Sequence, residues 1–457
     1  MSFTGISKLT ERRVGVFGAG AEGRSVWEAV RRWGGRPPLV FLDEPPAPGT
    51  IPEDLDRVIG SEMEAALEGI DLLVRSPGIR LGHPLLVAAA RRGIEVTTNV
   101  NLFLAEVRAA GLPVIGITGS KGKSTTSTLT YRVLREAGRP AVLAGNIGTP
   151  VLDVLEEVLA TKSISVLELS SYQCSDLVLG PSVAVLLALF PEHMSWHGGV
   201  EAYYEAKLRL ARTQRPEDLT IYSAADPELV SRLPLGPAHH EPFQDPEGLH
   251  YSEGWFRDGD QPLFPDTNVL LRGRHNRINA VAALSAARRF GAGPEHLERV
   301  LATFAGLPHR LEPLGAHAGV RWVNDSISTA PQAIVAALEA FAGEVDTLIA
   351  GGQDRGFDFG VLARVLPSTA VRTVICLPPG GPAVEAAIRA VCPPGHPEIY
   401  AARDLPDAVD HAARVTAPGK IALLSPGSPS YGVYRNFEER GEHFRRLVER
   451  VSSPARD

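Results

Sequence analysis

Short runs of apolar and β-branched residues alternate along the chain with longer stretches of amphipathic period. The run RVGVFGAG from Arg13 to Gly20 gives way to AEGRSVWEAVRRWG and then to PPLVFLDE. Runs that are apolar throughout predict strands buried on both faces, and the amphipathic stretches predict the helices that cover them, which is the βαβ rhythm of a parallel sheet. The rhythm restarts at LPVIGITGSKGKS and continues through SISVLELSS and SVAVLLALF. It starts a third time with VRWVNDS, VDTLIAGG, VRTVICLPP and KIALLSPGS. Three α/β domains are therefore expected, over residues 1–110, 111–311 and 312–457. The Pro-, Gly- and Asp-rich stretch from PLGPAHHEPFQDPEG to DGDQPLFPDTN reads as irregular loop or hairpin within the middle domain.

Composition narrows the class. A chain of 457 residues exceeds what one core holds, and its 44% hydrophobic and 22% charged residues are ordinary for a globular protein. The net charge of -7 gives no general attraction to nucleic acid or an anionic membrane, so neither is expected as a partner. The opening MSFTGISKLTERR lacks an apolar signal core, and VAVLLALF is too short to span a bilayer, so a cytoplasmic location is expected. Three cysteines, Cys174, Cys376 and Cys392, show no paired metal spacing, which argues against a disulfide scaffold or a zinc site.

Two glycine-rich turns carry candidate chemistry. In VIGITGSKGKSTT, Gly116, Gly119 and Gly122 let backbone N–H groups turn inward ahead of a helix whose positive end adds to their field, a geometry that binds phosphate. Lys123 can neutralise the outer phosphates, and Ser124 can place its hydroxyl on Mg²⁺. The usual phosphate-loop spacing would want glycine at position 117, which is Ile117, so a plain strand-to-helix turn stays open at this point. Earlier, Gly18, Gly20 and Gly23 in GAGAEG follow a strand, and Asp43 ends the next one. Alone, that pattern fits a dinucleotide-dependent dehydrogenase or mere close packing of helix on strand.

Ten segments together are more specific. GITGSKGKSTT, AGNIGTPVLD, LELSSYQ, PEHMSWHG, AYYEAKLRL, RHNRINAVAAL, GLPHRLE, VNDSIST, GGQDRGFDF and SPGSPSYGVYRNFEERG, in this order, resemble the Mur ligases, in particular the branch that adds glutamate to UDP-N-acetylmuramoyl-L-alanine. The resemblance covers nearly the whole chain. It implies a Rossmann-like N-terminal domain for the UDP-substrate, a central ATP-binding domain and a Rossmann-like C-terminal domain for glutamate. It also implies a monomeric enzyme of peptidoglycan synthesis that uses ATP to turn a carboxylate into an acyl phosphate before amide formation. Of other classes, a nucleotide-binding module without catalysis would be expected to lack Lys123, Glu168, His193 or Lys207, and all four are present.

By the same resemblance, Gly119, Lys121, Gly122, Lys123, Ser124 and Thr125 hold the ATP phosphates, and Asn279, beside Asn276, lies near the adenine. Arg310 and Asp325 close on ATP, with His309 adjoining. Two Mg²⁺ sites are implied, the first on Ser124 and Glu168, the second on His193 and a carbamylated Lys207. Gly18, Gly20, Gly23, Asp43, Ser76 and Gly78 face the UDP part of the substrate, while Asn146 and Ser170 contact it near its reacting carboxylate. Thr329, Arg355, Ser430, Tyr431 and Phe437 form the glutamate pocket.

Four positions depart from the common glutamate-adding pattern. Ile327 and Arg355 stand where lysines are usual, Tyr431 replaces a leucine, and Lys121 replaces an asparagine. Losing one ammonium and exchanging another for a planar guanidinium changes how two carboxylates are seated. The changes resemble the branch that uses L-glutamate, but the residues leave D- and L-glutamate both open. A Mur-type ligase for another amino acid and a folylpolyglutamate synthase are the alternatives within the same chemistry.

Overall fold

The computed structural model describes residues 5–46, 49–271, 273–354 and 356–451. It divides into two compact units, Met1–Val269 with Arg274–Thr303, and Leu270–Gly273 with Phe304–Asp457.

The first unit contains two parallel sheets. In the first, β1 (Val14–Phe17), β2 (Leu39–Leu42), β3 (Arg57–Ile59), β4 (Leu72–Arg75) and β5 (Glu95–Thr98) lie in the order β3-β2-β1-β4-β5. Alternate residues of β1 enter different cores. Val16 packs with Val26, Trp27 and Val30 of the helix Ala21–Arg32, whereas Phe17 packs with Phe41, Leu85 and Leu86 on the other side. Burial on both faces is what made these strands read as continuous apolar runs. The strand order reverses at β1, so the turn after Phe17 opens into the crevice where such sheets bind ligands.

The second sheet holds β6 (Val114–Thr118), β7 (Ala141–Gly145), β8 (Ile164–Glu168), β9 (Val183–Leu186), β10 (Leu219–Ser223) and β11 (His239–Phe243), ordered β11-β10-β9-β6-β8-β7. Its order reverses at β6, and there the chain enters the glycine loop and the helix Lys123–Glu136. Helix Arg274–Ala287 packs along that helix, and its residues Asn279–Ala287, mostly small, are all buried. The stretch read as loop or hairpin supplies β11 and then an antiparallel meander of β12 (Leu249–Ser252), β13 (Trp255–Asp258) and β14 (Gln261–Pro265).

The second unit is one six-stranded sheet of β15 (Glu312–His317), β16 (Val320–Asn324), β17 (Val345–Gly351), β18 (Thr373–Leu377), β19 (Glu398–Ala401) and β20 (Ile421–Leu424), ordered β15-β16-β20-β17-β18-β19. Only β15 runs antiparallel to its neighbour. Separate cores, one around Ile334, Leu348 and Leu362 and the other around Trp322, Ile349 and Phe444, cover its two faces. Among the described residues, no helix is long and apolar enough to cross a membrane. Cys174, Cys376 and Cys392 are buried and form no disulfide with one another.

Candidate active site

The loop after β6 has the backbone that two of its three glycines predicted, whereas Gly116 lies within the strand β6 and not in the turn. Gly119 and Gly122 take φ of +156° and +85°, and Gly122 caps the helix Lys123–Glu136. A side chain at Gly119 would come within 2.6 Å of Leu187, and one at Gly122 within 2.4 Å of Oδ1 of Asn279. Ser120 locks the loop onto the segment after β9. Its Oγ donates to the Phe190 carbonyl (2.7 Å) and accepts from Phe190 N (2.9 Å) and the Tyr203 hydroxyl (3.0 Å). Lys123 Nζ donates to the carbonyls of Gly119 (3.1 Å) and Ser120 (3.0 Å). Ser124 and Thr125 begin the helix, and exposed Lys121 pairs with Glu192 at 2.6 Å. Asn279, an expected adenine neighbour, sits against the loop's last glycine, and its Nδ2 donates to Asn276 Oδ1 at 3.2 Å.

Beneath the loop lie groups whose charges are poorly met. Glu168, at the end of β8, accepts from Asn146 Nδ2 at 2.7 Å through Oε1, while its buried Oε2 has no partner among the described residues. Lys207, on the helix Val200–Arg212, is 2% exposed. Its Nζ donates to the Gly119 carbonyl at 2.8 Å, the same oxygen that Lys123 uses. Burial, with Lys123 as a second cation nearby, lowers its ammonium to about 7. The helix surface that such a lysine would ordinarily occupy is here packed inward. His193 takes a left-handed backbone (φ +52°) and packs at a tilt against Tyr172, and burial lowers its pKa below the ordinary value. His197 was within a quoted motif but not singled out. It lies flat on Tyr172 at 5.6 Å, reaches Ser171 Oγ at 3.0 Å, and is lowered to about 4 by burial and then by His193. Among the described residues, no three His, Cys, Asp or Glu side chains gather to hold a metal on their own.

The N-terminal turn adjoins the same region. Gly18 (φ +102°) and Gly23 touch so closely that a side chain at Gly23 would lie 2.0 Å from the Gly18 carbonyl, and Ser76 Oγ packs over both. Gly20 faces open space. Arg75, 1% exposed, donates to both oxygens of Asp176 (2.9 and 2.8 Å). It also bonds the carbonyls of Ser76, Pro77, Ile79 and Tyr172. One buried guanidinium thereby shapes the loop after β4 and ties it to the segment after β8; nothing in the local sequence marked it. Trp196 Nε1 donates to the Gly78 carbonyl at 3.0 Å, a second tie. Asp43 Oδ1 accepts from His83 Nε2 at 3.0 Å, because His83 Nδ1 is occupied in capping Leu85 N at 3.2 Å. A cavity of about 1120 Å³ is lined by Asp43, Gly78, His83, Trp196, His197 and Arg209 among others. Of the expected UDP contacts, Asp43 and Gly78 line it, whereas Gly18, Gly20, Gly23, Ser76, Asn146 and Ser170 do not.

In the second unit, Asp325 follows β16 and is fully enclosed. Its oxygens accept from Ser328 Oγ (2.5 Å), Ser425 Oγ (2.8 Å) and Leu311 N (3.1 Å), and burial pushes the carboxyl up to about 6. Arg310 precedes Leu311, and its buried Nε has no partner among the described residues. His309 (φ +60°) is buried and shares a hydrogen bond between its Nδ1 and Asn324 Nδ2 at 2.9 Å. Arg440, 2% exposed, donates to Ser326 Oγ and to the carbonyls of Ser326 and Ser428, joining the ends of β16 and β20. Of the expected glutamate contacts, Ser430 is buried, Phe437 half-buried, and Thr329 and Tyr431 exposed; Arg355 lies outside the described residues.

Family models match along the chain: "Mur ligase MurD-like, N-terminal domain" over residues 12–98, "Mur ligase middle domain" over 117–243, and "Mur ligase, glutamate ligase domain" over 309–427. The chain is 39% identical to the UDP-N-acetylmuramoyl-L-alanine–L-glutamate ligase of Salinispora tropica, over 97% of its own length and 98% of that protein. It is 37% identical to the ligase of the same name from Xanthomonas axonopodis pv. citri, over 97% and 96%. Among solved structures, MurF from Acinetobacter baumannii is similar with a TM-score of 0.62 at 16% identity, over 98% and 99% of the two chains. MurF ligase from Thermotoga maritima in complex with ADP gives 0.57 at 18%, over 98% of each. At those identities the structural likeness speaks for the fold alone.

Proposed function

This chain belongs to the Mur ligase family, in its MurD-like branch, and we propose from that membership that it joins L-glutamate to UDP-N-acetylmuramoyl-L-alanine at the expense of ATP, in peptidoglycan synthesis. The observation that carries this reading is near-complete alignment with ligases of that name at 37% and 39% identity, in a chain that keeps Lys123, Glu168, His193 and Lys207. The choice of L-glutamate rests on those relatives' names and on Ile327, Arg355 and Tyr431 in the expected glutamate pocket.

The chemistry follows from the groups present. A carboxylate is a poor electrophile and is repelled by the phosphate it must attack, so a site for acyl-phosphate formation needs fixed positive charge and held geometry. Lys123 supplies charge at the loop, and the N–H groups ahead of the helix Lys123–Glu136 supply more. Asn146, bonded to Glu168, and Ser170 orient the acyl end of the substrate. Ser124 and Glu168 would hold a first Mg²⁺, and the unpartnered Glu168 Oε2 fits that part. A single carboxylate with nucleotide phosphates and water is ordinary for Mg²⁺, so the lack of a protein-only cage among the described residues is no obstacle. When bound, the ion spreads the negative charge that builds on the transferred phosphoryl group. His193 and a carbamate on Lys207 would hold a second. Lys207 suits carbamylation because its amine is buried, held beside another cation, and readily neutral, which is the form that attacks CO₂. Arg310 and Asp325 are assigned to ATP, and Thr329, Arg355, Ser430, Tyr431 and Phe437 to glutamate.

Phosphate release measured with ATP, Mg²⁺ and UDP-N-acetylmuramoyl-L-alanine, with each glutamate enantiomer in turn, tests the proposal. Release with the L form and little with the D form is expected. Preference for the D form would overturn the enantiomer, and no release with either would overturn the ligase.

A further inference from the structure

The helix Pro84–Arg91 begins on an unusual cap. Its first turn is closed by His83, whose Nδ1 accepts from Leu85 N at 3.2 Å, where Ser, Thr, Asp and Asn are the residues that ordinarily serve. An imidazole that accepts at Nδ1 carries its hydrogen at Nε2, and Nε2 donates to Asp43 Oδ1 at 3.0 Å. The ring also stands edge-on to Phe17, with centroids 4.8 Å apart and planes at 70°, and Phe17 is fully buried at the end of β1. Backbone, carboxylate and core thus fix one imidazole from three directions. A serine or an asparagine would cap the helix and reach no further, so the far nitrogen of the ring is what the histidine adds.

Asp43 follows β2, and its side chain is half exposed. It and His83 both line the cavity of about 1120 Å³. Its Oδ1 is held by His83, and its Oδ2 has no hydrogen-bond partner among the described residues. An aspartate at a strand end without such a tie turns about two side-chain bonds and offers its oxygens in many directions. A ligand that bonds a loose side chain must order it, which weakens binding by roughly two- to tenfold. A carboxylate accepts and does not donate, so the group that suits Oδ2 is an N–H or O–H rather than a phosphate oxygen.

We propose that His83 is a positioning residue for the nucleotide-sugar: by holding Asp43 Oδ1 it sets Oδ2 at the cavity wall as a fixed acceptor for a hydrogen-bond donor of the substrate's nucleoside. This rests on the assignment of UDP-N-acetylmuramoyl-L-alanine to this unit. His83 acts through Asp43, and its own nitrogens are both spent within the protein.

Calorimetric titration of the full chain with UDP-N-acetylmuramoyl-L-alanine tests this on the wild type, His83→Asn, Asp43→Ala and the double variant. His83→Asn keeps an oxygen for Leu85 N but lacks the far nitrogen, so its thermal midpoint should stay within about 3 °C of wild type. Its Kd should rise about fivefold. KM for the nucleotide-sugar should rise alike, with kcat and the KM values for ATP and glutamate within about twofold of wild type. Asp43→Ala should weaken binding at least as much, and adding His83→Asn to it should change Kd by less than about twofold, because a residue that acts through Asp43 then has nothing to act on. A role in stability alone would weaken binding equally in both backgrounds. Wild-type affinity in either single variant, or independent effects that multiply in the double variant, overturns the proposal. His83→Ser, a second capping replacement, is read in the same way if the asparagine variant does not fold. Failure of the wild type to bind the nucleotide-sugar overturns instead the assignment of the substrate, and this proposal with it.

Discussion

Gly122 shows how much of the site is decided by a single missing carbon. Its φ of +85° is disfavoured for any side chain, and a methyl group there would lie 2.4 Å from Oδ1 of Asn279. Gly122→Ala should therefore strain the loop and displace an expected adenine contact together. We expect at least tenfold lower kcat/KM for ATP, with UDP-substrate affinity within about twofold of wild type. Lys207 makes the complementary case. The carbamate proposed for it predicts that Lys207→Ala is nearly inactive and is partly rescued by formate or acetate, and that rigorous CO₂ removal lowers wild-type turnover; full activity without CO₂ would contradict it. The glycines were legible because their positions in a strand-to-helix turn dictate backbone shape. The environment of Lys207 was not, because YEAKLRL gives no sign of which helix face meets the carbonyl of Gly119, and only resemblance marked it. Arg75 was missed for a related reason: its partner Asp176 lies on a different sheet's connections, far along the chain.

Among elements, the helix Phe437–Val451 has the clearest structural duty, since it delivers Arg440 to the ends of β16 and β20. Arg440→Met removes a buried guanidinium and leaves the carbonyls of Ser326 and Ser428 without that donor. A loss of about 3 kcal/mol in the stability of the second unit is expected from denaturant unfolding, together with a raised KM for glutamate, since Ser430 follows the same loop. Asp325, which joins the same strand ends through Ser328 and Ser425, makes stability depend on pH. Its folded carboxyl near 6 exceeds the ordinary unfolded value, so the folded state binds the proton more tightly. That contribution is fully present below about pH 4 and is lost as pH rises through 6, amounting to roughly 3 kcal/mol at most. In Asp325→Asn this sloping component should vanish, which unfolding at pH 4, 5, 6 and 7 would reveal; an unchanged slope would place it elsewhere. The parallel strands themselves were readable in the sequence as apolar runs. Their order was not, since the placement of β6 between β8 and β9 comes from the crossovers rather than from any local period.

At the scale of the whole molecule, the assigned contacts divide by unit. Gly18, Gly20, Gly23, Asp43, Ser76, Gly78, Asn146 and Ser170 all belong to the first, whereas Thr329, Ser430, Tyr431 and Phe437 all belong to the second. The first unit also has its own cores, around Val16, Trp27 and Leu186 and around Phe17, Phe41 and Leu73. Cores that draw on no residue of the second unit give this half the means to fold by itself, because burial of apolar surface is the main term that offsets chain entropy. A fragment ending at Thr303 should therefore unfold cooperatively and bind UDP-N-acetylmuramoyl-L-alanine within about threefold of the full chain's Kd, a difference below 1 kcal/mol. It should release no phosphate in the presence of glutamate, because the residues assigned to the amino acid are gone. Calorimetry and the phosphate assay on the same preparation separate the two claims. A folded fragment that does not bind the nucleotide-sugar would show that the second unit contributes to its recognition, and the division of labour drawn from these residues would be wrong.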